Sequence, residues 1–178
     1  MIEVTDERQE LTDADAIRRS VVDPDAFVAV FDRHFDLLHR FLRVRAGDAA
    51  ADDLVAQTFE VAFRRRADYD LTRADARPWL YGIALNQLRR ERRNRRRGLR
   101  AVSRLFVREA VDDEPADGVD ELRRLLDGLR DEDRDLLLLY ACLELSYAEC
   151  AEALGVPIGT VRSRLHRVRE RLRREVAR

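Results

Sequence analysis

The sequence predicts an all-α protein: two small helical domains joined by a flexible acidic linker, the C-terminal domain containing a helix-turn-helix. Three observations carry this. Apolar residues recur three and four positions apart through successive segments, the spacing of one helix face. No segment alternates with period two, as a half-buried strand would. An acidic stretch with proline and glycine, Asp112-Asp113-Glu114-Pro115 to Gly118, interrupts the pattern. The expected domains are therefore residues 13–97 and 119–178, with 98–118 as linker, a division that 178 residues can hold.

Taken in order, residues 1–12 are polar and acidic, and Thr12 with Asp15 starts a short helix through Ser20. Asp23-Pro24 reads as an N-cap followed by a proline at the first helical position. Phe27, Phe31, Leu38, Phe41 and Leu42 then form an apolar stripe to about Val44. Gly47-Asp48 breaks that helix and caps the next, which runs to Arg66 with Leu54, Val55, Phe59, Ala62 and Phe63 inward. Its acidic start and basic end suit the helix dipole. Residues 67–76 lack an apolar period. Arg77-Pro78-Trp79 opens a third helix to about Arg97, with Trp79, Leu80, Ile83, Ala84 and Leu88 apolar, and seven arginines in 89–97. Leu99, Val102, Leu105 and Phe106 allow a further loose helix. After the linker come apolar-rich helices over Val119 to Leu129 and Arg134 to Leu143, with Asp131 and Asp133 as candidate caps between them.

The segment Ser146 to Arg174 reads as the helix-turn-helix. Ser146 and Glu149 fit a capping box, Ser-x-x-Glu. The first helix is Tyr147 to Leu154, and Gly155 ends it in a turn that a Cβ would obstruct. Pro157 stands at the first position of the second helix. Val161, Leu165, Val168 and Leu172 face inward, leaving Arg162, Ser163, His166, Arg167 and Arg169 on the open face. A helix of this kind enters the major groove with its N-terminal half toward base edges. The bland alternative is a basic amphipathic hairpin packed on its own domain, with arginines that are merely solvated.

Charged residues make up 39% of the chain, yet the net charge is −1, so composition alone does not point to nucleic acid. The distribution does: arginine crowds 89–108 and 162–178, and acid crowds the first thirty residues and 112–121. All 34 basic residues are arginine. Selection for forked phosphate contacts would produce this, but with so much alanine, arginine and aspartate a GC-rich genome is the favoured cause. Cys142 and Cys150 are not in a CxxC arrangement and read as buried thiols. The three histidines show no metal-ligand spacing, and no nucleophile and base cluster, so an enzyme, a metal site and a cofactor are not expected. No signal peptide or membrane-spanning run appears, which predicts a cytoplasmic protein without membrane insertion.

From about Ala14 to Arg174 the chain resembles an extracytoplasmic-function (ECF) sigma factor of bacterial RNA polymerase, in the sigma-70 superfamily. Four motifs carry the resemblance in order: DPDAFVAVFDRHF, DLVAQTFEVAF, PWLYGIALNQLRRERR and LSYAECAEALGVPIGTVRSRLHRVRERLRR. They are similar to the first helix of the promoter-melting domain, the polymerase-binding helix, the minus-ten helix and the minus-thirty-five reader. The resemblance implies binding to core RNA polymerase and promoter DNA, recognition of minus-ten and minus-thirty-five elements, and control by an anti-sigma factor. Melting about ten base pairs breaks stacking of roughly 1.4 kcal/mol per step, more than a small helical domain can supply unaided.

The resemblance also assigns roles. Asp53, Leu54, Thr58 and Phe59 match the core-polymerase contact, although Ala56-Gln57 stands where the family often has Gln-Glu. Trp79, Tyr81, Asn86, Arg89, Arg90, Arg92 and Arg93 match the minus-ten helix. Asn86 and the loop 68–76 would hold a flipped base while the arginines track phosphate. Arg162, Ser163, His166 and Arg167 match the minus-thirty-five contacts. Glu144 stands where the family often has glycine, which implies a differently shaped entry turn. The linker would present RNA-like charge to a basic channel. The competing reading is a stand-alone dimeric helix-turn-helix regulator, which needs neither Asp53 and Leu54 nor the minus-ten helix.

Overall fold

The computed structural model describes residues 11–102 and 128–176, and describes no side chains for 95–102 or Val176. Among the described residues the secondary structure is helical, with no strand. The chain divides into two compact units between Glu91 and Arg92. The expected helix over Val119 to Leu129 and most of the linker lie outside the described residues, as does the loose-helix pattern beyond Val102.

In the first unit, α1 spans Asp13–Ser20. Thr12 caps it as expected, its hydroxyl accepting the Asp15 amide at 3.1 Å. Asp23-Pro24 does not open an α-helix directly. Pro24–Phe27 is a single 3-10 turn, and Asp23 makes no side-chain cap bond. The Asp23 carbonyl accepts from Ala26, three residues on, so the chain enters in the tighter register. The helix proper, α2, is Val28–Ala46. Gly47, at φ 81° and ψ 164°, ends it in a region essentially reserved for glycine, which costs a Cβ-bearing residue about 1–3 kcal/mol. Asp48 is then the first residue of α3, Asp48–Arg64, rather than its cap. Its carboxylate instead accepts from Arg43 Nε at 2.6 Å. A second 3-10 turn, Arg66–Asp68, leads into the loop before α4, Arg77–Val102.

Helical spacing explains the core. Ile17, Val30, Leu38, Leu42, Leu80, Leu85 and Leu88 are fully buried. Each such side chain contributes about 1.5–3 kcal/mol by leaving water. Phe59 of α3 lies 4.8 Å from Phe31, and Phe41 of α2 meets Tyr81 of α4 edge-on at 5.1 Å, ring centroid to centroid. Phe31 itself is 39% exposed, at the rim of the stripe rather than inside it.

In the second unit, α5 is Asp131–Ala141, α6 is Tyr147–Leu154 and α7 is Ile158–Val176. Asp131 and Asp133 do not cap α5. Arg130 occupies the cap position without a side-chain bond, and the acids lie in the first turn, where they meet the positive end of the helix dipole. Leu136, Leu139, Leu145, Val161 and Leu165 close the core between the three helices. Cys150 is buried in it, and burial pushes its thiol up to about 11. Cys142 is exposed, contrary to expectation, because it falls just beyond the last turn of α5.

Candidate nucleic-acid interface

The turn between α6 and α7 forms for the reasons its residues suggest. Ser146 N–H donates to the Glu149 carboxylate at 2.7 Å, and Glu149 N–H donates to the Ser146 hydroxyl at 3.3 Å, completing the capping box. Gly155 takes φ 65°, ψ 38°. The Gly155 and Val156 amides fold back onto the carbonyls of Glu152 and Ala151 at 3.1 and 3.0 Å, a Schellman ending. Pro157 stands just before α7 rather than inside it, and its carbonyl accepts the Thr160 amide at 2.8 Å.

This entry fixes the rotation of α7. Val161, Leu165 and Val168 are buried, so Arg162, Ser163, His166 and Arg167 all emerge exposed on the opposite side. Their offsets of one, four and five residues put them on one face over a turn and a half. Arg169, further along, is held back: its guanidinium lies over the Tyr140 ring at 5.2 Å and also bonds Tyr147. The turn ahead of α6, expected to be shaped differently for want of glycine, still holds a left-handed residue, since Glu144 itself adopts φ 54°.

A second polar face lies along α4, whose residues belong to the first unit up to Glu91 and to the second from Arg92. Asn86 and Arg90 are exposed and Trp79 is half-buried. With Arg93, also exposed, they follow one another at seven, four and three residues, one side of the helix. Arg89 flanks this stripe and donates to Asn86 Oδ1 at 3.3 Å. Two expected members depart from it. Tyr81 is buried, with 2% exposure, because it stands five residues before Asn86 and so points into the core. Arg92 lies six residues after Asn86, off the stripe, and pairs with Asp131 at 3.2 Å.

The loop before α4 is strongly ordered by its own side chains. Asp70 accepts from the Thr72 amide and hydroxyl at 3.0 and 2.7 Å, which together lower its pKa. Tyr69 is buried, donates its hydroxyl to the Arg73 carbonyl at 2.7 Å, and packs edge-on against Trp79 at 5.0 Å. Asp13, His34 and Asp75 bring ligand atoms within 4.8 Å of one another. That cluster does not suit a cation, since Arg33 contacts Asp13 and Arg77 bonds Asp75 at 2.6 Å. The arginines already balance both carboxylates. No residue spacing marks this cluster, because an acid in a first turn ordinarily faces water.

Two matches with known families cover most of the chain: "Sigma-70 region 2" over residues 30–98 and "Sigma-70, region 4" over residues 120–172. The chain is 33% identical over 137 residues to the ECF RNA polymerase sigma factor SigC of Mycobacterium tuberculosis, covering 75% of this chain and 74% of the relative. With CarQ, an RNA polymerase sigma factor of Myxococcus xanthus, identity is 33% over 154 residues, covering 84% and 88%. This chain belongs to the ECF sigma factors. With SigW of Bacillus subtilis the identity is 26% over 170 residues, 86% of this chain and 90% of the relative. Among solved structures, it is similar to a sigma factor RpoE in complex with the anti-sigma factor NepR from Bartonella quintana. That match has TM-score 0.73, 24% identity, and covers 85% of this chain and 96% of the other. It is also similar to CnrH in complex with the cytosolic domain of CnrY, at TM-score 0.68 and 25% identity, over 93% and 97%.

As a sigma factor the protein binds core RNA polymerase, recognises minus-ten and minus-thirty-five promoter elements and promotes transcription initiation. No helix among the described residues is long and apolar enough to cross a membrane. The residues expected to contact polymerase on α3 differ in exposure. Leu54, Thr58 and Phe59 are buried, and the Thr58 hydroxyl is spent on the Leu54 carbonyl at 2.7 Å. Only Asp53 of that set is exposed, and Ala56, Gln57 and Glu60 share its side of the helix. Leu54, Val55 and Phe59, the large apolar members of DLVAQTF, are buried in the core of this unit.

Proposed function

We propose that this sigma factor reads the minus-thirty-five element with Arg162, Ser163, His166 and Arg167 of α7, and the minus-ten element with Asn86 of α4 and the loop 68–76. The common exposed face of those four α7 side chains is the observation that carries the reading. In this reading Arg167 makes a bidentate contact to a guanine edge, worth about 1–3 kcal/mol of discrimination. Arg89, Arg90 and Arg93 follow phosphate beside Asn86, giving affinity and salt dependence rather than sequence choice. Trp79 supports this face through Tyr69. On α3 the polymerase contact is made by Asp53 with Gln57 and Glu60, over a shape set from beneath by Leu54, Thr58 and Phe59.

The protein acts in the cytoplasm, where core polymerase is, and does no chemistry of its own. An anti-sigma factor holds it inactive, as the complexed state of its structural neighbour supports. The test is run-off transcription by core polymerase from a genomic promoter library, with and without the protein. Stimulation from a subset of promoters is expected, and stimulation from none would overturn the reading. Arg167→Ala should relax one minus-thirty-five position. Arg93→Ala should weaken every promoter alike and flatten the salt slope. Tight binding to duplex promoter DNA without polymerase would instead mark a stand-alone regulator.

A further inference from the structure

Asp13 is the first residue of α1, where a carboxylate normally faces water and the helix dipole. Here its side chain is only 4% exposed and both oxygens are occupied. One accepts the Ala76 amide at 2.7 Å and lies 2.7 Å from His34 Nε2. The other accepts from Arg33. The Asp13 amide in turn donates to the Ala74 carbonyl at 3.2 Å. One residue thus grips two backbone positions of the loop just before it becomes α4, while Arg33 and His34 fasten it to α2.

The arrangement is more than a staple for α1. A staple needs only the two contacts to α2. The bonds to Ala74 and Ala76 are to backbone, so they fix the path of the chain whatever side chains the loop carries. Tyr69 to Arg73 and Asp75 to Arg77 are bonds within this stretch, and Tyr69 packs on Trp79 of α4, whereas the bonds from Asp13 tie the stretch to α1. A flipped base is recognised only if the groups around it are already in position, since ordering them on binding would consume binding energy.

We infer that Asp13 is a positioning residue for minus-ten recognition: by holding the backbone of Ala74 and Ala76 it fixes the loop 68–76 that, with Asn86, selects the base. The inference rests on the reading of Asn86 and this loop given above. Asp13 touches no DNA and acts only through the loop. The protonated or amide form would still accept one bond but would release Arg33, and the loop would sample several paths.

The experiment uses the full chain with core polymerase on a promoter library randomised across the minus-ten positions and, separately, across the minus-thirty-five positions. Transcripts from wild type, Asp13→Asn and Asn86→Ala are sequenced, and exchange of the Ala76 amide is followed. Asp13→Asn should speed Ala76 exchange and lower selectivity at one or two minus-ten positions by about fivefold, the lower end of what one mismatched position is worth. Minus-thirty-five selectivity should stay unchanged. Equal loss at both elements would make Asp13 a structural staple only and overturn the inference, as would unchanged minus-ten selectivity. Should Asp13→Asn fail to fold, Arg33→Met decides by the same readout, because Arg33 is one-third exposed and holds the Asp13 oxygen that does not bond Ala76. If Asn86→Ala leaves minus-ten selectivity intact, the underlying site assignment fails, independently of Asp13.

Discussion

Tyr81 stands edge-on to Phe41, ring centroids 5.1 Å apart, and its hydroxyl is buried with no hydrogen-bond partner among the described residues. Burial accordingly raises its pKa well above the ordinary phenol value. The ring is held for packing, and the hydroxyl is a desolvated group with nothing to offset it. Tyr81→Phe should therefore leave promoter selectivity unchanged and raise stability by about 1 kcal/mol. Urea unfolding together with run-off transcription checks both. A loss of minus-ten selectivity in the phenylalanine variant would restore Tyr81 to the DNA-binding set.

The reciprocal bonds of Ser146 and Glu149 give a second test, now on the helix-turn-helix. Ser146→Ala removes the acceptor for the Glu149 amide at the start of α6. The expected cost is about 1 kcal/mol. It should appear as earlier thermal unfolding and as weaker binding to minus-thirty-five DNA, with no change in which base is preferred. A shift in base preference would mean that the cap also orients α7.

What the sequence made legible depended on whether a local rule had a rival. The capping box, Gly155 and the face of α7 were all readable, because cap, turn and period agree and nothing distant competes. Asp23-Pro24 suits a 3-10 entry as well as an α-helical one, and the chain takes the 3-10 turn, which ends at the buried Phe27. Leu54, Thr58 and Phe59 are a different case: helical spacing marks an apolar face, and only the folded structure shows that these three are buried. Asp13 was invisible because its partners are His34, Ala74 and Ala76, brought together by the fold and not by spacing.

Glu144 occupies a left-handed conformation, φ 54°, in the turn between α5 and α6, with its side chain exposed. The turn is closed by neighbouring backbone bonds, Leu143 N–H to the Leu138 carbonyl at 3.2 Å and Leu145 N–H to the Leu139 carbonyl at 3.1 Å. The left-handed shape is thus imposed on a residue that disfavours it by about 1–2 kcal/mol. Glycine is freer in the unfolded chain, which returns roughly 0.5–1 kcal/mol of that. Glu144→Gly should stabilise the protein by somewhat under 1 kcal/mol, read as a higher urea midpoint with an unchanged slope. A destabilised variant would show that the Glu144 side chain makes a contact worth more than the strain.

Acid should unfold the first unit through Asp13. Burial alone would raise its carboxyl, but the bonds from His34, the Ala76 amide and Arg33 outweigh that and hold it below its ordinary 3.8. The unfolded chain therefore takes up this proton at higher pH than the folded one. The stabilisation is complete above the unfolded value and is lost as pH falls from there through the lower folded value. Breaking a buried ionic contact of this kind costs about 3–5 kcal/mol when one partner is removed. Urea unfolding of wild type and Asp13→Asn should thus differ by a constant amount from neutral pH down to about pH 5. The gap should then close as pH drops below about 4, because wild type alone loses stability from this group. A gap that persists at low pH would mean that the carboxylate charge is not what holds α1, α2 and the loop together.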